Sequence, residues 1–423
     1  MTAAGTAPPA DLTPGAGPSA TASPAAGQVV RHGWSAGLSR LDPRRLPGWA
    51  QALVVLAASR ALFTFAVFRS VDLAGRHRDG TPWTYLQIAN NWDGTWYERV
   101  AHQGYPAHLP IDSTGAVAPN TWAFYPLYPG LVRVVELTGL SWTAAATVVS
   151  LTCAAGAAVL VRSVAAHVAG PRLGLWTTAL LCFFPSALVL QLPYTEALAL
   201  LLLAAVLRCL QRERYLLAVP LLLLTGLARP IAVPLVVVLS VHLVARARSL
   251  RGEPPHRAVR ALAAPALGWL AAATAAVEWP LVVWWRTGVP GGYTRTMAAW
   301  RLPHEITPVR PWIYASGLYF GRQVGPVVLV AGVAGVVWWL WRQGRRVVGR
   351  DLVAWTAGYA GYLLAVLDSF TSLPRYLLPL FPLGTMLAAA SGSRAYRLAV
   401  TVGFGVLGVI WMLVIWRSQR WAP

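Results

Sequence analysis

Apolar residues run along the chain in long blocks, separated by short polar segments rich in Arg, Pro and Gly. Eleven such blocks can be read, at 48–68, 142–162, 173–191, 194–209, 215–229, 231–247, 261–285, 322–342, 351–368, 374–391 and 397–416. A helix needs about 20 apolar residues to cross about 30 Å of hydrocarbon. The pattern therefore predicts an all-α polytopic membrane protein, a bundle of about 11 transmembrane helices. The blocks 194–209 and 215–229 are the shortest, and Pro bounds them. Short, interrupted spans of this kind often line a cavity rather than face lipid. Two long polar intervals remain, 69–141 and 286–321.

Composition removes the alternatives to a membrane protein. Hydrophobic residues make up 56% of the chain and charged residues 12%, with a mean hydropathy of +0.52. Soluble domains carry about 25% charged residues, and disordered chains lack this hydrophobicity. Residues 1–30 are the exception, an Ala, Pro, Ser and Thr tail that reads as disordered. No apolar core follows a basic start there, so it does not read as a signal peptide. A basic juxtamembrane segment, 31–47, carries Arg31, Arg40, Arg44 and Arg45. The transmembrane domain then runs over 48–417, with a short tail at 418–423.

Charge sets the orientation. The net charge is +20, and all 35 basic residues are Arg. Nucleic-acid binding is one cause of such a balance; Arg kept in cytoplasmic loops beside anionic lipid is the reading that fits a membrane protein. With the N-terminus inside, the inner segments hold 20 of the 35 arginines, including the short turns 211–214, 342–346 and 394–397. Both long loops then lie outside, as does the C-terminus. The first loop is expected to carry interfacial helices, and the cell membrane is the expected location, with chemistry on the extracytoplasmic side. Cys153, Cys182 and Cys209 are scattered in apolar blocks, which is neither a disulfide framework nor a metal site.

Candidate chemistry gathers on that outer side. The first loop holds Asn91-Trp-Asp-Gly-Thr-Trp-Tyr97 followed by Glu98. Asp93 sits among aromatics near the membrane surface, a partly desolvated setting that suits a general base for a sugar hydroxyl. Trp92, Trp96 and Tyr97 offer faces for a hexose. Equally, they read as an interfacial belt, with Asp93 capping a turn. Phe124-Tyr-Pro-Leu-Tyr-Pro-Gly130 reads mainly as a belt segment that docks the loop on the bilayer, with Pro126 and Pro129 delaying any helix until after Gly130. Leu131 to Glu136 reads as an amphipathic interfacial helix.

Ionisable residues beside apolar spans are costly and point to function. Glu196, Arg229, Asp368 and Arg375 all fall at expected outer helix ends. As a set with Asp93 and Glu98, they suit a phosphate held by Arg229 or Arg375 and a sugar held by the acids. Taken singly, each reads as well as a helix cap or anchor. Arg60 lies within the first block, where it either pairs with an acid inside the bundle or snorkels. The second loop offers Arg301, His304 and Glu305, without metal-ligand spacing. There is no phosphate-cradling P-loop and no Gly-x-Ser-x-Gly elbow.

Five motifs in order carry a resemblance: Trp92-Asp-Gly-x-Trp-Tyr97, Phe124-Tyr-Pro-Leu-Tyr-Pro129, Pro193-Tyr-Thr-Glu-Ala197, Ala228-Arg-Pro230 and Pro374-Arg-Tyr376. Over roughly residues 50–390 the chain resembles the bacterial branch of the PIG-V-type mannosyltransferases, in the GT-C superfamily of membrane glycosyltransferases. The resemblance implies a GT-C-like bundle and a polyprenyl-phosphate mannose donor. It also implies an inverting single displacement and a catalytic acid in the first outer loop, by position Asp93. Trp92, Trp96, Tyr97, Glu98, Tyr194, Glu196, Arg229, Arg375 and Tyr376 are then the expected substrate-binding residues.

The expected partners are a polyprenyl-phosphate-linked sugar, membrane lipid, and a glycolipid, polysaccharide or glycoprotein acceptor, with no nucleic acid. No cofactor is expected; a divalent metal is compatible with the superfamily but not indicated by these residues. Two other readings stand beside it. One is a GT-C transferase for another lipid-linked sugar. The other is a flippase or transporter of lipid-linked sugars, whose matching halves and mid-span charges are not evident apart from Arg60.

Overall fold

The computed structural model describes residues 46–74, 84–301, 305–367 and 372–418. The expectations for the tails, for the arginines at 31–45, and for His304 and Asp368 lie outside these residues. The described chain is built from helices, with one isolated antiparallel bridge between Ile111 and Val117. Among the described residues, six helices are long and apolar enough to cross a membrane. Five of these are α1 (Gly48–Ala74), α5 (Trp142–Ala169), α9 (Ala232–Ser249), α10 (Pro255–Thr287) and α17 (Arg394–Ser418). The sixth is α13 (Val324–Trp339), which continues as a π-helical turn over Leu340–Gly344.

Shorter helices complete the bundle: α6 (Pro171–Cys182), α7 (Glu196–Gln211), α8 (Tyr215–Ala228), α14 (Gly349–Val366) and α16 (Phe381–Ala389). Between Glu196 and Arg208, helix α7 is apolar all round, and most of its residues are buried. A helix hydrophobic all round belongs at the centre of a bundle, and α7 is packed between α5 and α8. The short block read at 194–209 is thus a core helix that brings Glu196 to the site at its first residue.

Two expected spans are interrupted. The run 173–191 breaks after Cys182 and resumes as a 3₁₀ turn, Ala187–Gln191. The run 374–391 splits into α15 (Leu373–Tyr376), a 3₁₀ turn Leu378–Leu380, and α16. Pro185, Pro374, Pro379 and Pro382 explain the breaks, since each lacks an N–H and clashes with the preceding turn. Polar side chains take up freed backbone groups, as irregular backbone inside a membrane bundle requires. Ser186 Oγ donates to Pro374 O (2.7 Å), and Trp355 Nε1 donates to Pro379 O (2.8 Å). Arg60 serves the same purpose. It donates to Ala187 O (2.6 Å) and Cys182 O (3.0 Å), so it caps the broken α6 and pairs with no acid among the described residues.

The first loop holds α2 (Tyr85–Ala89), α3 (Asp93–Gln103) and α4 (Leu127–Glu136). Contrary to the expected delay, α4 begins before Gly130. Pro126 precedes it and Pro129 falls in its first turn, where backbone N–H groups have no intrahelical partner anyway. The Phe124–Tyr128 segment is also no lipid belt, because Phe124, Tyr125 and Tyr128 are all buried. Tyr128 bonds Ser150 of α5 (2.8 Å). Tyr125 bonds Tyr293 OH (3.0 Å) in α11 (Gly292–Ala298), and Trp279 Nε1 of α10 donates to Trp122 O (3.1 Å). These aromatics dock the loop on the helices rather than on the bilayer. The second loop adds α11 and α12 (Arg310–Phe320).

The bundle has two distinct ends. At one, Gln51 meets Arg162, Gln211 meets Val164, Glu213 meets Arg246, and His242 bridges Tyr215 and Asp351. This is the Arg-rich end. At the other lie both long loops, the start of α7 and the end of α8.

Candidate active site

Four charged side chains from four separate segments meet at the loop end. Asp93 is the first residue of α3. The residue before it, Trp92, adopts φ +54°, a conformation a bulky side chain takes only when its surroundings impose it. Gly94 follows because the turn presses on its neighbours. A Cβ there would sit 2.8 Å from Asn90 Oδ1 and 3.3 Å from the Pro193 Cβ. Glycine thus lets the start of α3 rest on the Pro193–Thr195 segment, which in turn launches α7 with Glu196 in its first turn. Arg229 is the extended residue after α8, held out of the helix by Pro230. Arg375 lies in the short α15 turn.

Arg375 Nη1 donates to Asp93 Oδ2 in a short contact, and also to Glu196 Oε1 at 3.3 Å. Arg229 Nη1 donates to the same Glu196 oxygen at 2.6 Å and to Thr195 Oγ1 at 3.3 Å. The order is therefore Asp93, Arg375, Glu196, Arg229, two acids alternating with two bases and no net charge. The Glu196 side chain is 4% exposed and that of Arg375 is 7% exposed, whereas Asp93 keeps 25%. Burying an isolated ion is prohibitive; alternating partners make it tolerable. Glu196 Oε2 and Arg375 Nε are buried without a hydrogen-bond partner among the described residues.

Aromatics sandwich the guanidiniums. Arg375 lies over the Tyr194 ring (5.4 Å) and the Tyr376 ring (5.1 Å), and Arg229 lies over Tyr376 (4.8 Å). Tyr194 is fully buried and donates to Asn91 O at 3.3 Å. Tyr97 is buried too. Its hydroxyl meets Thr195 Oγ1 at 3.2 Å, and burial pushes its phenol up, so it stays neutral. Trp96 stacks on Phe124 and meets Trp300 edge-on at 4.9 Å. Trp92 is half-buried against the core. Glu98 stands apart from the charge chain, accepting from Asn90 Nδ2 at 2.7 Å. Of the residues read from sequence, Asp93, Tyr194, Glu196, Arg229, Arg375 and Tyr376 converge. Tyr97 supports them from below, and Trp96 faces the second loop.

Arg229 and Tyr376 also wall a cavity of about 290 Å³. The rest of its wall includes Tyr293, Trp300 and Arg301 of the second loop, and Tyr359 and Tyr362 of α14. Burial pushes the Tyr293 phenol up to about 12, so it is a neutral hydrogen-bonding group at physiological pH. The cavity is near the small end of the range for ligand clefts, with polar groups set in an apolar wall. Tyr359 and Tyr362 escaped the sequence reading because tyrosines in an apolar block look like core. Their spacing of three, which puts two hydroxyl-bearing rings on one helix face, was the available signal. Among the described residues no group of three or more His, Cys, Asp or Glu is placed to hold a metal ion.

No protein-family model matches the chain, and no curated protein matches it. Solved structures of the archaeal oligosaccharyltransferase of Archaeoglobus fulgidus are similar in their helix arrangement. The complex of AglB with an inhibitory peptide and a dolichol-phosphate aligns with a TM-score of 0.42 at 14% identity, covering 85% of this chain and 55% of that one. The form tethered to an acceptor peptide gives 0.40 at the same identity and coverage. The chain thus spans about half the length of these proteins, and similarity of this degree transfers no residue role.

Proposed function

We propose that the protein is an inverting membrane glycosyltransferase that moves mannose from a polyprenyl-phosphate donor to a cell-envelope acceptor. The observation that carries this reading is the alternating charge chain, with a partly exposed Asp93 at one end and Arg229 opening on a tyrosine-lined cavity at the other. The donor and its sugar are what the five-motif resemblance implies. The cavity beside Arg229 supports that reading.

In this reading the donor phosphate sits at the cavity with Arg229, and the tyrosines bond the sugar hydroxyls. The acceptor approaches from the exposed side of Asp93. Its hydroxyl oxygen attacks the anomeric carbon while the bond from that carbon to the phosphate oxygen breaks, with inversion. The hydroxyl proton goes to Asp93, whose Oδ2 is held by Arg375 and whose Oδ1 accepts no hydrogen bond from the described residues. The departing lipid phosphate gains negative charge, which the fixed guanidinium of Arg229 offsets. Glu196 holds both arginines in place from beneath.

The test is transfer of radiolabelled mannose from polyprenyl-phosphate mannose by membranes holding wild type or Asp93→Asn. A general base is worth about 10²–10⁴ in rate, so the variant should express normally and lose transfer by at least two orders of magnitude. Undiminished transfer by Asp93→Asn would remove Asp93 from the chemistry.

A further inference from the structure

The charge chain is internally neutral, yet the cavity wall holds one more cation. Arg301 lines the same space as Arg229, from a different segment, the loop that follows α11. Its Nη2 donates to Val366 O at 2.6 Å. Val366 is the last residue of α14, and the closing carbonyls of a helix have no intrahelical partner. Arg301 therefore fixes its own guanidinium on a backbone acceptor and not on an acid. Among the described residues it forms no ion pair. A guanidinium carries five donors, so one bond to a carbonyl leaves most of them uncommitted. Trp300, beside it, packs edge-on against Trp96 of α3. Arg301 is thus held by α14 on one side and by the helix of Asp93 on the other.

We propose that Arg301 is a second anion-binding residue of this cavity, sharing its wall with Arg229, and that the two together hold the phosphate of a lipid-borne headgroup. This rests on the function proposed above and adds a residue to it. The neutral chain of Asp93, Arg375, Glu196 and Arg229 can hold an anion only by sharing Arg229 with Glu196. Arg301 supplies the charge that remains in surplus. Arg229 follows the apolar α8, Arg301 bonds the end of the apolar α14, and Ile231, Leu363, Val366 and Leu367 add apolar wall to the same cavity, which suits a headgroup that carries a lipid tail.

The experiment is binding of farnesyl phosphate to the purified full chain in detergent, by thermophoresis, with farnesol as the uncharged control. Charge-assisted bonds are worth about 1.5–3 kcal/mol, or about ten- to a hundredfold in affinity. Arg301→Gln should weaken farnesyl phosphate at least tenfold and leave farnesol unchanged. Arg301→Lys should recover part of the loss, and Arg310→Gln, an exposed arginine of the same loop, should bind as wild type does. Equal binding of farnesyl phosphate by wild type and Arg301→Gln would overturn the proposal. So would a variant that loses thermal stability and farnesol binding together, which would make Arg301 only a staple for the loop. Guanosine diphosphate competing as well as farnesyl phosphate would overturn the lipid-borne assignment. A wild-type protein that ignores farnesyl phosphate altogether would instead count against the donor class of the proposed function.

Discussion

At the scale of single residues, the site is an exercise in burying charge. Glu196 is the keystone, since one of its oxygens accepts from both Arg229 and Arg375. Removing one member of a buried ionic set costs about 3–5 kcal/mol, because the partners stay buried and uncompensated. Glu196→Gln should therefore lower the thermal unfolding midpoint in detergent sharply, whatever it does to turnover. A midpoint equal to wild type would mean that the two arginines are balanced by something else. Glu196, Arg229 and Arg375 were legible because charges next to apolar runs are rare and expensive, and Asp93 because it sits among aromatics. Tyr359 and Tyr362 were not, because a phenol in an apolar run is cheap. Glu98 carried the same sequence signal as Asp93, five residues along, yet bonds Asn90 instead.

At the scale of elements, close helix contacts aim these residues. Gly226 lies two residues before the end of α8, against α10. A Cβ there would fall 2.4 Å from Ala275 O and 2.8 Å from Ala275 Cα, both backbone atoms that cannot turn aside. Gly226→Ala should force the helices apart at a cost of about 1–3 kcal/mol, moving Arg229 with them. Lower stability and weakened transfer are expected together. Gly332→Ala in α13, where nothing lies within 4 Å of the added methyl, should leave both intact. The hydropathy pattern located the helical segments but not their interruptions. In 173–191 and 374–391 the residues stay apolar through the break, so only the prolines marked where the backbone leaves the helix. The aromatic loop segment was misread for a related reason. Tyr125 and Tyr128 suit a bilayer surface or a protein interior equally, and only their partners, Tyr293 and Ser150, decide between the two.

At the scale of the whole molecule, the two ends differ in chemistry, with arginine-rich turns at one and the charge chain under its loops at the other. The orientation expected from the positive-inside rule, with the site outside, is open to a direct test. In a background with the native cysteines replaced, Thr114→Cys in the first loop should label with a membrane-impermeant maleimide in intact cells. Ser249→Cys at the end of α9 should label only after permeabilisation. The reverse pattern would invert the orientation and place the chemistry in the cytoplasm.

The most direct test of the central claim uses purified protein in proteoliposomes with polyprenyl-phosphate mannose labelled in the sugar. The account predicts release of free polyprenyl phosphate together with label on the acceptor in the inverted configuration, lost in Asp93→Asn. Folded wild-type protein that moves the intact lipid-linked sugar across the bilayer, without breaking its bond to phosphate, would contradict the account and make the protein a transporter.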